Sequence, residues 1–191
     1  MNAIAAVGGY LLGSIPTAEL LGRLRGVDLR SEGSGNPGTA NALRTSGPWL
    51  AGAVLGVEAA KGLGAVWLGH VLADETAALA AGLAAVAGNV YNLWYRFEGG
   101  KGLGISLGVL AGLWSAVVPL VVVAIVAGML ITRTPGIASL VAIATLVGMS
   151  FLWPAAGWPT GGLEPTWRLP ALAVGIALII SPKHWRDATL S

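Results

Sequence analysis

The 191-residue chain has no cysteine and only two histidines, His70 and His184. Disulfides, thiolate metal sites and a cysteine nucleophile are therefore excluded, and a histidine metal centre would need carboxylates to complete it. Charge is also scarce. Asp, Glu, Lys and Arg supply 10% of the residues, against about 25% in a soluble globular domain. With 55% hydrophobic residues and a mean hydropathy of +0.75, too little polar surface exists to coat a globule. The missing solvent is lipid. No internal repeat is found, which weakens a reading as a transporter built from duplicated halves. Met1 through Leu12 has neither a basic n-region nor a small-residue cleavage site, and is read as a retained first helix rather than a signal peptide.

What is present is a series of apolar runs. A membrane-spanning helix needs roughly 20 apolar residues. Asn2–Gly22, Pro48–Leu72 and Thr76–Tyr95 each qualify, as does Ile137–Trp153, while Leu169–Ser181 is a short last span. The run Leu103–Thr132 has 30 residues. As one helix it would measure about 45 Å, well beyond a bilayer core of roughly 30 Å. Pro119 follows Trp114 within it, and a proline in a helix interior breaks the hydrogen-bond ladder. Two helices, 103–116 and 119–132, are expected. The result is an all-α integral membrane protein, a single 1–191 domain of about seven helices in one compact bundle.

Orientation follows from basic residues, which collect on the cytoplasmic side. Seven spans with the amino terminus outside place Arg23, Arg25, Arg30, Arg44, Arg96, Lys101, Arg133, Lys183 and Arg186 inside, nine of the eleven Lys and Arg residues. Arg168 falls outside and Lys61 within a span. Trp94, Trp114, Trp153, Trp158 and Trp167 near span ends suit anchoring at both interfaces.

This topology sends two glycine-rich loops to one side. The first, Gly33-Ser34-Gly35-Asn36-Pro37-Gly38-Thr39-Ala40-Asn41-Ala42-Leu43-Arg44, contains G-x-G-x-x-G. A dinucleotide fold needs a buried strand before that motif, and the polar stretch from Asp28 to Glu32 is not one. What remains is a loop whose glycines expose backbone N–H groups, with Ser34, Asn36, Asn41 and Arg44 as further donors. That combination suits a phosphate, although a tight turn capping the next helix explains it equally well. The second loop is Gly99-Gly100-Lys101-Gly102, feeding the apolar run at Leu103. Glycines at a helix start present free N–H groups to an anion, and Lys101 adds a full charge. It is not a Walker loop, because Gly102 stands where Ser or Thr is required. Arg133, Ser139, His184 and Asp187 face the same side and are individually weak signals. Within the spans, Glu19, Glu58 and Lys61 are costly unless paired. Glu58 and Lys61 are three residues apart, so an intrahelical ion pair between them is expected.

At these residues the sequence resembles the PlsY-type acyl-phosphate:glycerol-3-phosphate acyltransferases, bacterial enzymes of the plasma membrane. The resemblance begins at Gly13-Ser14-Ile15-Pro16 and is strongest over Gly33–Arg44. It recurs at Glu58 to Gly62 and at Phe97 to Gly102. It implies transfer of an acyl group from acyl phosphate to glycerol 3-phosphate, giving lysophosphatidic acid, at a site open to the cytoplasm. No cofactor, metal or nucleic-acid partner is implied; the partners are the two phosphorylated substrates and membrane lipid. Ser34, Arg44 and Lys101 match catalytic positions. Gly33, Gly35, Asn36, Gly38, Asn41, Gly99, Gly100, Gly102, Ser139, His184 and Asp187 match substrate-binding ones. The sequence departs from the family where it has Asn89 for histidine, Glu98 for lysine, Ile105 for threonine, Gly136 for serine, Glu58 for aspartate and Asp187 for asparagine. A paralogue binding a different phosphorylated or lipid ligand is the alternative; a small transporter is a third reading, resting on Glu19, Glu58 and Lys61.

Overall fold

The structure is a computed structural model that describes residues 1–190, Leu190 without its side chain. Among the described residues every regular element is helical: α1 (Asn2–Ser14), α2 (Thr17–Leu24), α3 (Thr39–Ser46), α4 (Pro48–Leu72), α5 (Glu75–Val90), α6 (Leu103–Leu113), α7 (Val118–Thr132), α8 (Pro135–Ala156) and α9 (Arg168–Leu190). Single 3₁₀ turns lie at Leu93–Tyr95 and Ser115–Val117. Five stretches are long and apolar enough to cross a membrane: Asn2–Leu24, Pro48–Leu72, Glu75–Tyr95, Ser115–Thr132 and Pro135–Ala156. The helix α6 is apolar but shorter. The long run divides at Trp114, close to the expected place.

The chain forms two compact units, Met1–Val109 and Leu110 onward. In the first, α1 packs against α5 through glycine. Any Cβ at Gly9 or Gly13 would overlap the carbonyl of Ala81 or Ala85, and one at Gly88 would overlap that of Tyr10. Small residues four apart let backbones approach where lipid gives no hydrophobic drive between helices. Gly62 on α4 and Gly108 on α6 repeat the device against the backbones of Ile105 and Ala59.

The first span is not the continuous helix expected from its composition. Pro16 lacks an N–H, so α1 stops at Ser14 and α2 restarts at Thr17. This leaves carbonyls of the last turn without helical partners. Side chains from elsewhere supply them. Lys61 Nζ donates to Gly13 O at 3.1 Å, Ile15 O at 2.7 Å and Thr17 Oγ1 at 3.3 Å. Asn92 Nδ2 donates to Ser14 O at 2.7 Å.

The expected ion pair between Glu58 and Lys61 is thus corrected. The three ammonium protons of Lys61 are all engaged at the helix break, and Glu58 Oε1 accepts from Asn89 Nδ2 at 3.2 Å. Glu19, by contrast, is paired, with Arg23 Nη2 at 2.6 Å.

In the second unit, α8 packs on both α7 and α9. Trp114 is fully buried, stacked edge-on against Trp153 at 5.3 Å, which in turn meets Trp158 at 5.0 Å. Trp114 is therefore packing and not an interfacial anchor. The carboxyl-terminal segment also differs from expectation. The helix α9 continues through Pro182, past the expected end of the last span at Ser181, so His184 and Asp187 sit on it, one turn apart.

Candidate functional site

The first polar loop is anchored by Leu29, fully buried with Ala18, Ala42, Leu50, Ala51 and Val54. Asn41, in the first turn of α3, closes it. Its Nδ2 donates to Leu29 O at 2.8 Å and Glu32 O at 3.0 Å, while its Oδ1 accepts from Ser34 N at 2.8 Å. Both donors are engaged and the side chain is 1% exposed. Asn41 therefore shapes the loop, its amide committed to Leu29, Glu32 and Ser34. Gly33 is required beside it. Its φ is +62°, which favours glycine, and a Cβ there would strike Asn41 Oδ1.

This folding leaves Ser34 exposed, Asn36 half-buried and Arg44 exposed in the last turn of α3. Gly35 also has a positive φ, +69°, and Gly38 is the extended N-cap of α3. Asp28 turns back on the same loop, its Oδ1 accepting from Arg30 N at 2.9 Å. That N–H and the Ser31 hydroxyl hold the carboxyl below its ordinary value. A depressed carboxylate stabilises the folded loop above the unfolded pKa, and that contribution disappears as pH falls through the folded one.

The second loop leaves α5 through Asn92, whose Oδ1 accepts from Trp94 N at 3.0 Å. Arg96 and Phe97 follow in the left-handed region, at φ 51° and 66°, a conformation rare outside glycine and asparagine. Phe97 N is held by Asn92 O at 2.9 Å and Glu98 N by Tyr95 O at 2.9 Å. Gly99 packs so closely on Asn89 that a Cβ would overlap its carbonyl. Lys101 is half-buried, and Gly102, at φ +81°, leads into α6.

Two contacts join the loops. Arg30 Nη2 donates to Glu98 O at 3.0 Å, with its guanidinium 4.1 Å over the Tyr95 ring. A Cβ at Gly100 would stand 3.3 Å from Pro37 O. Sequence reasoning counted Arg30 only as a topological charge and passed over Asn92. The one local sign of a second role for Arg30 is its place in the Asp28–Ser31 turn. The Glu98 side chain is exposed, so the negative charge it carries where the family has lysine is screened by solvent.

Ser139, His184 and Asp187 belong to the second unit. Ser139 and His184 are 3% and 2% exposed. Ser139 Oγ donates to Pro135 O of its own helix at 2.8 Å. At Gly136 a Cβ would lie 2.5 Å from Ala188 N and 2.8 Å from His184 O. That close approach of α8 to α9 explains why glycine stands there. Among the described residues no cluster of three or more His, Cys, Asp or Glu is suited to a metal ion.

Residues 3–189 match the family model described as glycerol-3-phosphate acyltransferase. A glycerol-3-phosphate acyltransferase of Symbiobacterium thermophilum is 38% identical over 182 residues, covering 95% of this chain and 86% of that protein. One of Bradyrhizobium diazoefficiens is 42% identical over 183 residues, with the same coverage of 95% and 86%. The crystal structure of PlsY, an integral membrane glycerol 3-phosphate acyltransferase, in its glycerol 3-phosphate form superimposes with a TM-score of 0.80. It has 27% identity over 98% of this chain and 90% of that one. Its lysophosphatidic acid form gives a TM-score of 0.81 at 26% identity, over the same shares of the two chains.

Proposed function

The chain belongs to the glycerol-3-phosphate acyltransferase family, and we propose that it transfers the acyl group of an acyl phosphate to the sn-1 hydroxyl of glycerol 3-phosphate. The observation that supports this reading is the joining of the two polar loops of the first unit through Arg30 and Gly100. The joined loops put Ser34, Asn36, Arg44 and Lys101 on two adjacent segments, as a reaction between two phosphorylated substrates requires.

Acyl phosphate is a mixed anhydride and is already activated. The sn-1 oxygen attacks the acyl carbon and a new ester C–O bond forms. The acyl C–O bond to phosphorus breaks, and the hydroxyl proton ends on the departing inorganic phosphate. No covalent enzyme intermediate is needed. The protein's part is to hold two anions together and to stabilise the oxyanion and the leaving phosphate, which is positioning and electrostatics. In this reading Lys101 and Arg44 neutralise phosphate and the Ser34 hydroxyl donates to it. The glycines offer backbone N–H groups. Ser139, His184 and Asp187 are assigned to substrate binding by resemblance.

The experiment is acyl transfer by the purified protein in lipid, with acyl phosphate and glycerol 3-phosphate, repeated with acyl-CoA. Lysophosphatidic acid formed from acyl phosphate alone supports the donor assignment. Product from acyl-CoA alone contradicts it, and product from neither favours a paralogue with another ligand.

The same reading places seven spans in a bacterial plasma membrane, amino terminus outside, with the joined loops cytoplasmic. A cysteine introduced at Thr134 is then expected to resist an impermeant thiol reagent in intact cells, and one at Thr160 to react. Labelling of Thr134→Cys from outside overturns this topology.

A further inference from the structure

Beneath the joined loops is a narrow cleft whose chemistry the phosphate reading does not use. Residues 15–19 at the helix break, Pro37 of the first loop and Gly99 and Gly100 of the second form its walls, with Glu58, Asn89, Asn92 and Tyr95 completing the lining. Its interior measures about 20 Å³, space for roughly one water-sized group and no more.

Beside the Thr17 and Tyr95 hydroxyls, the side-chain atoms of its lining left without partners are acceptors. Asn89 is 6% exposed, and its Nδ2 is tied to Glu58 Oε1 at 3.2 Å. This fixes Asn89 Oδ1 toward the Gly100 wall, 3.1 Å from where a Cβ on Gly100 would stand. There the oxygen is buried and accepts no hydrogen bond. Glu19 is 2% exposed. Its Oε1 holds Arg23, and its Oε2 is buried without a hydrogen bond. Buried acceptors left unmet are costly, so such a cleft is suited to a donor.

Three classes of donor can be separated. An anion is excluded by two acceptor oxygens. A cation is disfavoured because Arg23 already balances Glu19, and Lys61, fixed on Ile15 and Thr17 at the cleft's edge, offsets the Glu58 charge without a direct ion pair. A neutral hydroxyl fits both the volume and the acceptors, provided that the molecule bearing it stays outside. We propose that the cleft takes the non-reacting secondary hydroxyl of the glycerol acceptor, which donates to Asn89 Oδ1 or Glu19 Oε2 while the phosphate rests against the glycine loops. Asn89 and Glu19 are then specificity-determining residues. The inference rests on the acceptor assignment made above, and it explains why Asn89 is buried next to a loop meant for phosphate without being a phosphate ligand.

The test compares glycerol 3-phosphate with 3-hydroxypropyl phosphate, which keeps the primary hydroxyl and the phosphate but lacks the secondary hydroxyl. The wild type is expected to prefer glycerol 3-phosphate in kcat/KM by about tenfold or more, because a site built for a hydroxyl is left with unmet acceptors by the analogue. Asn89→Leu should bring the ratio toward one, chiefly through a higher KM for glycerol 3-phosphate. Glu19→Met gives the same readout should Asn89→Leu fail to insert. A wild type without preference means that the cleft holds water only, and overturns the proposal. Equal losses with both substrates, or an unchanged ratio in the variants, mean a structural role for Asn89 and overturn it as well. Absence of transfer to either substrate instead refutes the acceptor assignment on which the proposal stands.

Discussion

Replacing Lys101 with alanine is expected to slow acyl transfer by about 10²- to 10³-fold, as the loss of one oxyanion donor does elsewhere, roughly 2.7–4 kcal/mol of transition-state stabilisation. The expectation comes from where the residue sits. Lys101 is half-buried in a loop whose backbone is already shaped by others: Asn92 holds Phe97, Arg30 holds Glu98, and Gly99 lies on Asn89. Removing the ammonium should leave that framework standing. The variant should therefore insert, purify in detergent and unfold within a few degrees of the wild type. Lys101→Arg should recover part of the rate, since it keeps the charge but changes a point donor into a planar fork. Near-wild-type turnover in Lys101→Ala would remove the second loop from the mechanism. A protein that no longer folds would make Lys101 a structural residue.

How far the sequence could carry this reading depended on whether the signal was local. Apolar runs are local, so Pro48–Leu72 and the division of 103–132 near Trp114 were legible from length and one proline. The glycine stretches were legible as loops between helices, because glycine clusters end one helix and lead into the next. What was not legible is who holds whom. Asn41 stands in a loop of exposed donors and looks like one of them. Only the fold shows its amide turned inward on Leu29, Glu32 and Ser34. Arg30 and Glu98 are 68 positions apart, a separation no periodicity reveals. Three of the six departures from the family pattern are likewise explained by neighbours. Gly136 faces the backbone of α9 with no room for a serine. The carboxylate of Glu58 and the amide of Asn89 meet at 3.2 Å, so a longer acid reaches a shorter partner.

The same distinction between local and distant signals makes Lys61 the residue whose loss should damage folding most. A charge in a membrane span three residues from a carboxylate invites the ion-pair reading, and the structure replaces it. Pro16 ends α1, and the carbonyls of Gly13, Ser14 and Ile15 must find donors away from water. Lys61 serves two of them and the Thr17 hydroxyl; Asn92 serves the third. In Lys61→Met the carbonyl of Gly13 loses its side-chain donor, at a cost of about 1–3 kcal/mol for a buried group left unsatisfied, while Ile15 O keeps only the Thr17 N–H at 2.9 Å. The variant should show a markedly lower Tm in detergent. Partial proteolysis is expected at Arg23, in the last turn of α2, and at Arg25, its C-cap, because the lysine holds the start of that helix. A second substitution separates the two readings. If Lys61 mattered chiefly as the counter-ion of Glu58, adding Glu58→Gln would remove the stranded charge and restore most of the Tm. If it is the donor that closes the helix break, the double variant stays close to Lys61→Met, because neutralising Glu58 provides no hydrogen bond to Gly13 or Ile15. The structure predicts the second result, and recovery to within a degree or two of the wild type would return Lys61 to the ion pair.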